Sequence, residues 1–325
     1  MKRMYFITNL FSGKNAIRAK LAAVIDIFTA AGYEVTVRTT QGRKDATAAA
    51  EYACLVGGYD IIVVSGGDGT LNEVVQGLMH SGKPLPLGYL PCGSTNDFGR
   101  SLKIPTDLEE AARQIVDSRH PFSCDIGVFD DRHFLYVAAF GAFVPTVYET
   151  SQKFKNMVGH LAYLLHGLTL VPTVHPLRMK IEANGRLIEG EFLFGMVSNT
   201  ASVGGMLKLK HFRLDDGEFE VLLIRKPPNM IELQRIISQL LSVHAEIDSE
   251  YIEYFKADKL HIISNEEIPW TLDGEYGGES CETNIEVRRH AVQFCVSDHS
   301  GLNFEEIRQL YTLEQKEAAE TLKEE

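Results

Sequence analysis

Hydrophobic positions over residues 1–117 fall into two alternating patterns. Short apolar runs rich in β-branched and aromatic residues, at Met4–Thr8, Glu34–Thr39, Ile61–Val64 and Leu87–Leu90, read as strands. Between them apolar residues recur at helical spacing. One set is Ile17, Leu21, Val24, Ile25 and Phe28, and another is Leu71, Val74, Val75 and Leu78. Ala46–Val56 and Leu108–Val116 complete the helices. Gly32 and Gly57-Gly58 stand where helices should end, and Asp107 stands where the last should be capped. Strand and helix in alternation predict a doubly wound α/β domain with a mostly parallel sheet.

From about Ser123 the pattern changes to many short strands. Phe134–Phe140, Leu177–Ala183, Arg186–Phe194, Phe219–Ile224, Tyr251–Phe255, Lys259–Ile263, Ile285–Arg288 and Val292–Val296 predict a mainly antiparallel sandwich or open barrel. Asn184-Gly185 marks the clearest hairpin. Helical spacing recurs at Phe154–Leu168, read as a core-facing helix or an acyl-chain groove, and at Ile231–Val243. A capping-box pattern at Asn303 and Glu306 begins a last helix, which packs on the body or on a second copy in a homodimer. The expected division is 1–125, 126–297 and a 298–325 tail.

The stretch Ser65-Gly66-Gly67-Asp68-Gly69-Thr70 joins a buried strand to a helix. Its glycines let backbone approach a ligand, and the helix start offers free N–H groups and a positive dipole end to a phosphate. Asp68 in such a turn calls for a cation or a proton-transfer role. The plainer alternative is a tight turn with Asp68 bonded to its own backbone. Three further loops leave the same rim of the sheet: Asn9–Asn15, Thr40–Asp45 and Gly93–Asp97. Ligands of open α/β sheets sit on that rim. Neither GxxxxGK[ST] nor a GxGxxG after the first strand is present.

Charge and composition narrow the partners. The 325-residue chain carries a net charge of −12, which argues against broad nucleic-acid binding and against a polybasic membrane anchor. Five scattered cysteines without a CxxC pair suggest a reduced, cytoplasmic protein. The apolar run after Lys2-Arg3 is too short for a signal peptide, and Leu161–Val171 falls short of the roughly 20 residues of a membrane span. A protein of this kind reaches a membrane only peripherally, from the inner face. The loop Met206–Arg213, which mixes basic and apolar residues, is a candidate for that contact or else a solvated loop.

Gly66-Gly67-Asp68-Gly69-Thr70, followed by Leu71, Asn72 and Glu73, resembles the nucleotide signature of the diacylglycerol kinase catalytic-domain family, relatives of NAD kinases. Asn9-Leu10-Phe11-Ser12-Gly13 is similar to its NPxSG motif, with Leu10 in place of Pro. Thr39-Thr40, ahead of Asp45-Ala46, resembles its TTxxGDA segment, with Lys44 in place of Gly. Pro91–Phe98 resembles its PxGTxNDF, with Ser94 for Thr. Asp125-Ile126-Gly127 fits the acidic strand that enters its second domain.

The resemblance implies an NAD kinase-like α/β domain and a β-sandwich. It implies ATP and Mg²⁺, and a lipid alcohol as acceptor, most simply diacylglycerol, at a membrane surface. Asn9, Ser12, Gly13, Thr40, Gly66, Gly67, Gly69, Thr70, Leu71, Asn72 and Ser94 would shape the ATP site. Asp68 would hold Mg²⁺, with Asp97 and Asp125 in the same acidic network. Glu275 of Asp273-Gly274-Glu275 would be the general base, a carboxylate suited to take the proton of an attacking hydroxyl. The turn Arg213–Glu218 would hold a second metal through the Asp216 side chain and the carbonyls of Arg213 and Glu218; a plain acidic turn is the alternative reading of those residues. Phosphatidylglycerol, a sphingoid-like alcohol or NAD are alternative acceptors, and a non-catalytic nucleotide or lipid sensor is the other class.

Overall fold

The computed structural model describes residues 1–13, 16–94, 96–141, 175–199, 202–203, 207–208, 213–241 and 249–296. The expected helices at Phe154–Leu168 and from Asn303, and most of the Met206–Arg213 loop, lie outside the described residues.

Strand β1 (Lys2–Thr8) buries Met4 to Thr8 and lies parallel between β2 (Tyr33–Thr39) and β3 (Ile61–Gly66). Strand β4 (Leu87–Pro91) continues in parallel beyond β3, giving the order β2-β1-β3-β4. Every residue of β3 is buried, as a central strand covered on both faces requires. The helices are α1 (Ala16–Ala30), α2 (Asp45–Leu55), α3 (Asp68–Ser81), the short α4 (Asp97–Ser101) and α5 (Leu108–Asp117). Helix α1 packs beside α5, and α2 beside α3. Two ends follow the sequence signals. Gly32, at φ 87°, lies just past α1, and the Asp107 side chain accepts from the N–H groups of Glu109 and Glu110 at 3.0 Å each.

The second half is antiparallel. Its strands are β5 (Phe122–Phe129), β6 (Arg132–Phe134), β7 (Val137–Gly141), β8 (Leu177–Ala183), β9 (Arg186–Ser198), β10 (Ser202–Val203), β11 (Leu207–Lys208), β12 (Phe219–Arg225), β13 (Ile252–Ala257), β14 (Lys259–Leu272) and β15 (Glu275–Phe294). Helix α6 spans Met230–Leu241. A second apolar core within this half contains the fully buried Trp270, while the core of the first half continues into it through Leu193, Met196 and Leu222. The Phe129 and Phe140 rings lie edge-on to Trp270, with centroids 4.9 and 4.8 Å away. Asn184 and Gly185, both at positive φ, turn β8 into β9 as a two-residue hairpin.

Two expectations change. Lys259–Ile263 is the start of a 14-residue strand, and Ile285–Arg288 and Val292–Phe294 belong to one 20-residue strand. Register shifts at Ile263/Ile268, Trp270/Thr271 and Arg288/Val292 break the alternation, so the sequence pattern reads as separate pieces. Conversely, the single strand expected over Phe134–Phe140 is interrupted at Leu135-Tyr136, whose N–H groups are taken by a carboxylate instead of a neighbouring strand.

Strand β15 binds the halves together. It runs antiparallel to β14 and β5, and at its end Phe294 pairs in parallel with Leu87 of β4, supported by the Cys295 N–H on the Leu87 carbonyl at 2.8 Å. The two halves therefore share one hydrogen-bonded sheet path, and the hairpin turn between β14 and β15 can be held in a set place relative to the parallel sheet.

Candidate active site

The rim loops of the parallel sheet meet through glycine contacts. The Asn9 side chain donates to Thr70 Oγ1 at 3.1 Å and accepts from the Phe11 N–H at 3.0 Å, tying the first loop to the start of α3. A Cβ on Gly93 would lie 2.6 Å from Gly67 Cα, so these two loops touch only because neither carries a side chain there. A Cβ on Gly13 would meet the Cys92 carbonyl oxygen at 2.1 Å. Close approach, rather than positive φ, accounts for Gly66 and Gly67. The missing Cβ of Gly69 faces open space.

Helix α3 begins at Asp68, three residues ahead of the expected Leu71, with Gly67 as its N-cap and no side chain capping it. Asp68, Gly69 and Thr70 are thus the first helical turn, where unpaired N–H groups favour an anion. Leu71 is fully buried in the core and its N–H donates to the Gly67 carbonyl. The Asn72 side chain accepts from Gln76 at 2.9 Å. Glu73 accepts from the N–H groups of Lys44 and Ala46, at 2.9 and 3.3 Å, and so caps α2 from α3. Lys44 itself sits at φ 64°, the left-handed conformation that suits the Gly of the resembled motif. A cleft of about 260 Å³ opens here, bounded by Asn9 and Phe11, by Thr40 to Arg43, and by Thr70 and Glu73. Ser12 is half-buried beside Gly67, and Ser94 is exposed on the Gly93 loop.

Asp68 reaches the start of α4. Its two carboxylate oxygens accept from the Asp97 and Phe98 N–H groups at 3.3 and 3.4 Å. Asp97 is 3% exposed, and burial together with the neighbouring Asp68 charge lifts its carboxyl to about 7, against the pull of Arg100. Asp125 lies elsewhere. Its side chain accepts from the Gly217 and His290 N–H groups at 2.7 and 2.6 Å, and its carbonyl accepts from Asn199. This buried carboxylate holds the 214–217 turn to β15, which takes it out of the expected acidic network.

The Asp273-Gly274 turn between β14 and β15 has φ 49° and 81°, a two-residue hairpin with both residues left-handed. Asp273 is 5% exposed, and its carboxylate accepts three backbone N–H groups: Leu135 at 2.6 Å, and Tyr136 and Val137 at 2.9 Å each. Burial nevertheless pushes Asp273 up to about 7. The Tyr136 hydroxyl donates to the Asp273 carbonyl at 3.3 Å, and burial with the charges of Asp68, Asp273 and Asp97 raises it well above its ordinary value. Tyr136 therefore stands between the hairpin and the Asp68–Asp97 pair. Glu275, exposed at the head of β15, accepts from the Arg43 guanidinium at 2.8 Å. That contact brings the hairpin to the rim of the cleft that Arg43 shares with Asn9, Thr40 and Thr70.

The Arg213–Glu218 turn is organised by protein partners. Asp216 accepts from the Glu218 N–H at 3.2 Å and from the Lys256 ammonium at 2.7 Å, and Lys256 also meets Glu220 at 3.2 Å. Arg213 pairs with Asp215. In this arrangement an ion at Asp216 would share its carboxylate with Lys256. Sequence reasoning missed Asp273, Tyr136 and Arg43. The one local signal was an acid in a positive-φ hairpin position, which reads as ordinary turn chemistry.

A parallel α/β half with a polar cleft beside the glycine-rich turn at the start of α3, met by a carboxylate-bearing hairpin from an antiparallel half, is the arrangement expected of a phosphoryl-transfer enzyme. Residues 3–127 match the diacylglycerol kinase catalytic domain, and residues 141–296 match the YegS C-terminal NAD kinase beta sandwich-like domain. The chain is 36% identical over 298 residues to a diacylglycerol kinase of Staphylococcus carnosus (strain TM300), covering 91% of this chain and 96% of that one. It is 37% identical over 293 residues to a diacylglycerol kinase of Bacillus subtilis (strain 168), covering 89% and 95%. Its fold is similar to a crystal structure of a Bacillus anthracis (strain Sterne) protein described as a diacylglycerol kinase, with a TM-score of 0.78 and 25% identity over 91% of this chain and 98% of that one. The chain belongs to the diacylglycerol kinase family.

Proposed function

We propose that this protein transfers the γ-phosphate of ATP to the free hydroxyl of diacylglycerol, giving phosphatidic acid, with Glu275 as the general base. The observation that carries the role of Glu275 is the pinned hairpin. Three N–H groups on Asp273 hold the turn, and Glu275 at its far side touches Arg43 on the cleft wall. Membership of a family of lipid kinases supports the reaction class. In this reading residues 1–125 bind the nucleotide and residues 126–297 receive the lipid.

The triphosphate lies against the first turn of α3 and the Asn9–Gly13, Thr40 and Gly93–Ser94 loops, where N–H groups and the helix dipole meet its charge. Asp68, backed by Asp97, offers carboxylate oxygens to Mg²⁺. When bound, that ion neutralises charge on the phosphate oxygens. Glu275 takes the proton of the lipid hydroxyl as its oxygen attacks phosphorus. The Asp68–Asp97 pair and Tyr136 are buried or half-buried, which limits competing attack by water. Among the described residues no helix is long and apolar enough to cross a membrane. In this reading the lipid is met at the bilayer surface by peripheral contact. The Met206–Arg213 loop and a second copy of the chain belong to that proposal.

The test is Glu275→Gln. The variant keeps size and hydrogen bonding but not basicity. It should bind ATP and lose transfer to diacylglycerol in mixed micelles by at least about 10²-fold. Undiminished transfer would remove Glu275 as the base. A panel of labelled acceptors (diacylglycerol, phosphatidylglycerol, sphingosine, NAD) separates the lipid choice from the mechanism.

A further inference from the structure

Arg43 is the feature that the reaction scheme leaves unused. It lies on the loop after β2 and forms part of the cleft wall with Asn9, Thr40 and Thr70. Its side chain is 84% exposed, and one of its nitrogens bonds Glu275, itself 57% exposed, across 232 residues of sequence. A guanidinium carries five N–H donors, and the Glu275 contact uses one among the described residues. The pair joins the two halves at the mouth of the cleft, and it is the side-chain contact between the nucleotide-side loop and the proposed base.

Such a pair is easily exchanged. An exposed ion pair contributes little, because water competes well for both charges. A triphosphate entering the same cleft carries several negative charges and planar oxygen faces that a guanidinium fits in two-pronged fashion. It is a stronger partner than one exposed carboxylate. A Glu275 whose oxygen is engaged by Arg43 also has one lone pair fewer to offer a hydroxyl proton.

We propose that Arg43 is a nucleotide-responsive latch: it holds Glu275 while the cleft is empty and moves to the phosphates when ATP binds, which frees Glu275 to face the acceptor. Arg43 is thus a positioning residue, coupling occupancy of the nucleotide site to availability of the base. The inference rests on the assignment of Glu275 above.

Because the latch breaks one contact to make another, it makes a prediction about binding that does not depend on turnover. Affinity for the non-hydrolysable analogue AMP-PNP with Mg²⁺, measured by titration calorimetry, should rise about two- to fivefold in Glu275→Gln, the range an exposed ion pair supports. In an Arg43→Ala background the same Glu275→Gln change should leave affinity unaltered. Arg43→Ala alone should weaken AMP-PNP binding, and Arg43→Lys should restore part of it. Both side chains are exposed, so the variants are expected to fold. Unchanged or weaker binding in Glu275→Gln overturns the latch. The same gain persisting without Arg43 overturns it too, since that result reports simple repulsion between Glu275 and the triphosphate. Failure of Glu275 as the base would appear separately, as undiminished lipid phosphorylation in Glu275→Gln.

Discussion

The Asp273→Asn variant tests how the hairpin places the base. In the structure Asp273 Oδ1 accepts from the Tyr136 and Val137 N–H groups at 2.9 Å, and Oδ2 accepts from Leu135 at 2.6 Å. Asn keeps one carbonyl oxygen for two of these bonds and turns an NH₂ toward the third donor. It also tolerates the left-handed backbone at φ 49°, so the turn itself is not strained by the change. Orphaning one buried N–H costs about 1–3 kcal/mol, and facing it with a second donor puts the loss near the upper part of that range. The expected destabilisation is about 2–3 kcal/mol, a fall in Tm of roughly 3–5 °C for a chain of 325 residues. Burial holds Asp273 near 7, so between about pH 4 and 7 the folded protein loses stability that the Asn variant does not lose, and the Tm difference should be larger at pH 5 than at pH 8.

Catalysis should suffer more than stability. Glu275 lies two residues past Asp273, and a displacement of about 1 Å in a reacting group lowers rate on the order of 10²-fold. We expect kcat for diacylglycerol to fall about 10–100-fold, with KM for ATP within about twofold, because the Asp273 side-chain hydrogen bonds among the described residues go to Leu135, Tyr136 and Val137 and not to the rim loops. A variant with lowered Tm but full kcat would show that the three bonds support the fold without placing the base. A variant with unaltered Tm at pH 5 would show that the bonds do not stabilise the hairpin.

Three other outcomes follow from the geometry. Gly93→Ala puts a Cβ 2.6 Å from Gly67 Cα and should weaken ATP binding at least about tenfold by calorimetry, from the strain of parting two loops; full affinity would mean that the loops do not act together. Asp97, lifted from 3.8 to about 7, keeps in the folded state a proton that the unfolded chain has lost, so it makes stability fall as pH rises from about 4 to about 7. Asp97→Asn should flatten the decline in urea midpoint over that window, by at most about 1.4 kcal/mol per pH unit, and an identical slope in the variant would refute the assignment. Lys44→Gly relieves left-handed strain of about 1–2 kcal/mol against a glycine entropy of up to about 1 kcal/mol, so the melting curve should report a gain of about 0.5–1 kcal/mol; a loss would show that Lys44 is not strained.

Much of the fold could be read without coordinates, because it depends on short-range rules. Alternating strand and helix periodicity marked the parallel sheet, Asn184-Gly185 marked its hairpin, and Gly32 and Asp107 marked helix ends. Their chemistry acts within a few residues and leaves a local trace. The long strands β14 and β15 were harder to see, since three register shifts break the alternation that defines a strand.

The site divides along the same line. The glycines at 66 and 67 and the acid at 68 are legible as a phosphate-facing turn, since backbone approach and dipole are local properties. The duties of the other acids are not. Asp125 and Asp273 are both buried carboxylates in short acidic motifs. One is spent on the Gly217 turn and the other on the Leu135–Val137 segment. Arg43 meets Glu275 from 232 positions away. Sequence alone determined which residues could carry charge at the cleft. Only the tertiary structure decided which carboxylates are consumed by buried N–H groups and which remain at the surface. A hydrogen-bond partner is chosen by proximity in space, and local periodicity does not encode it.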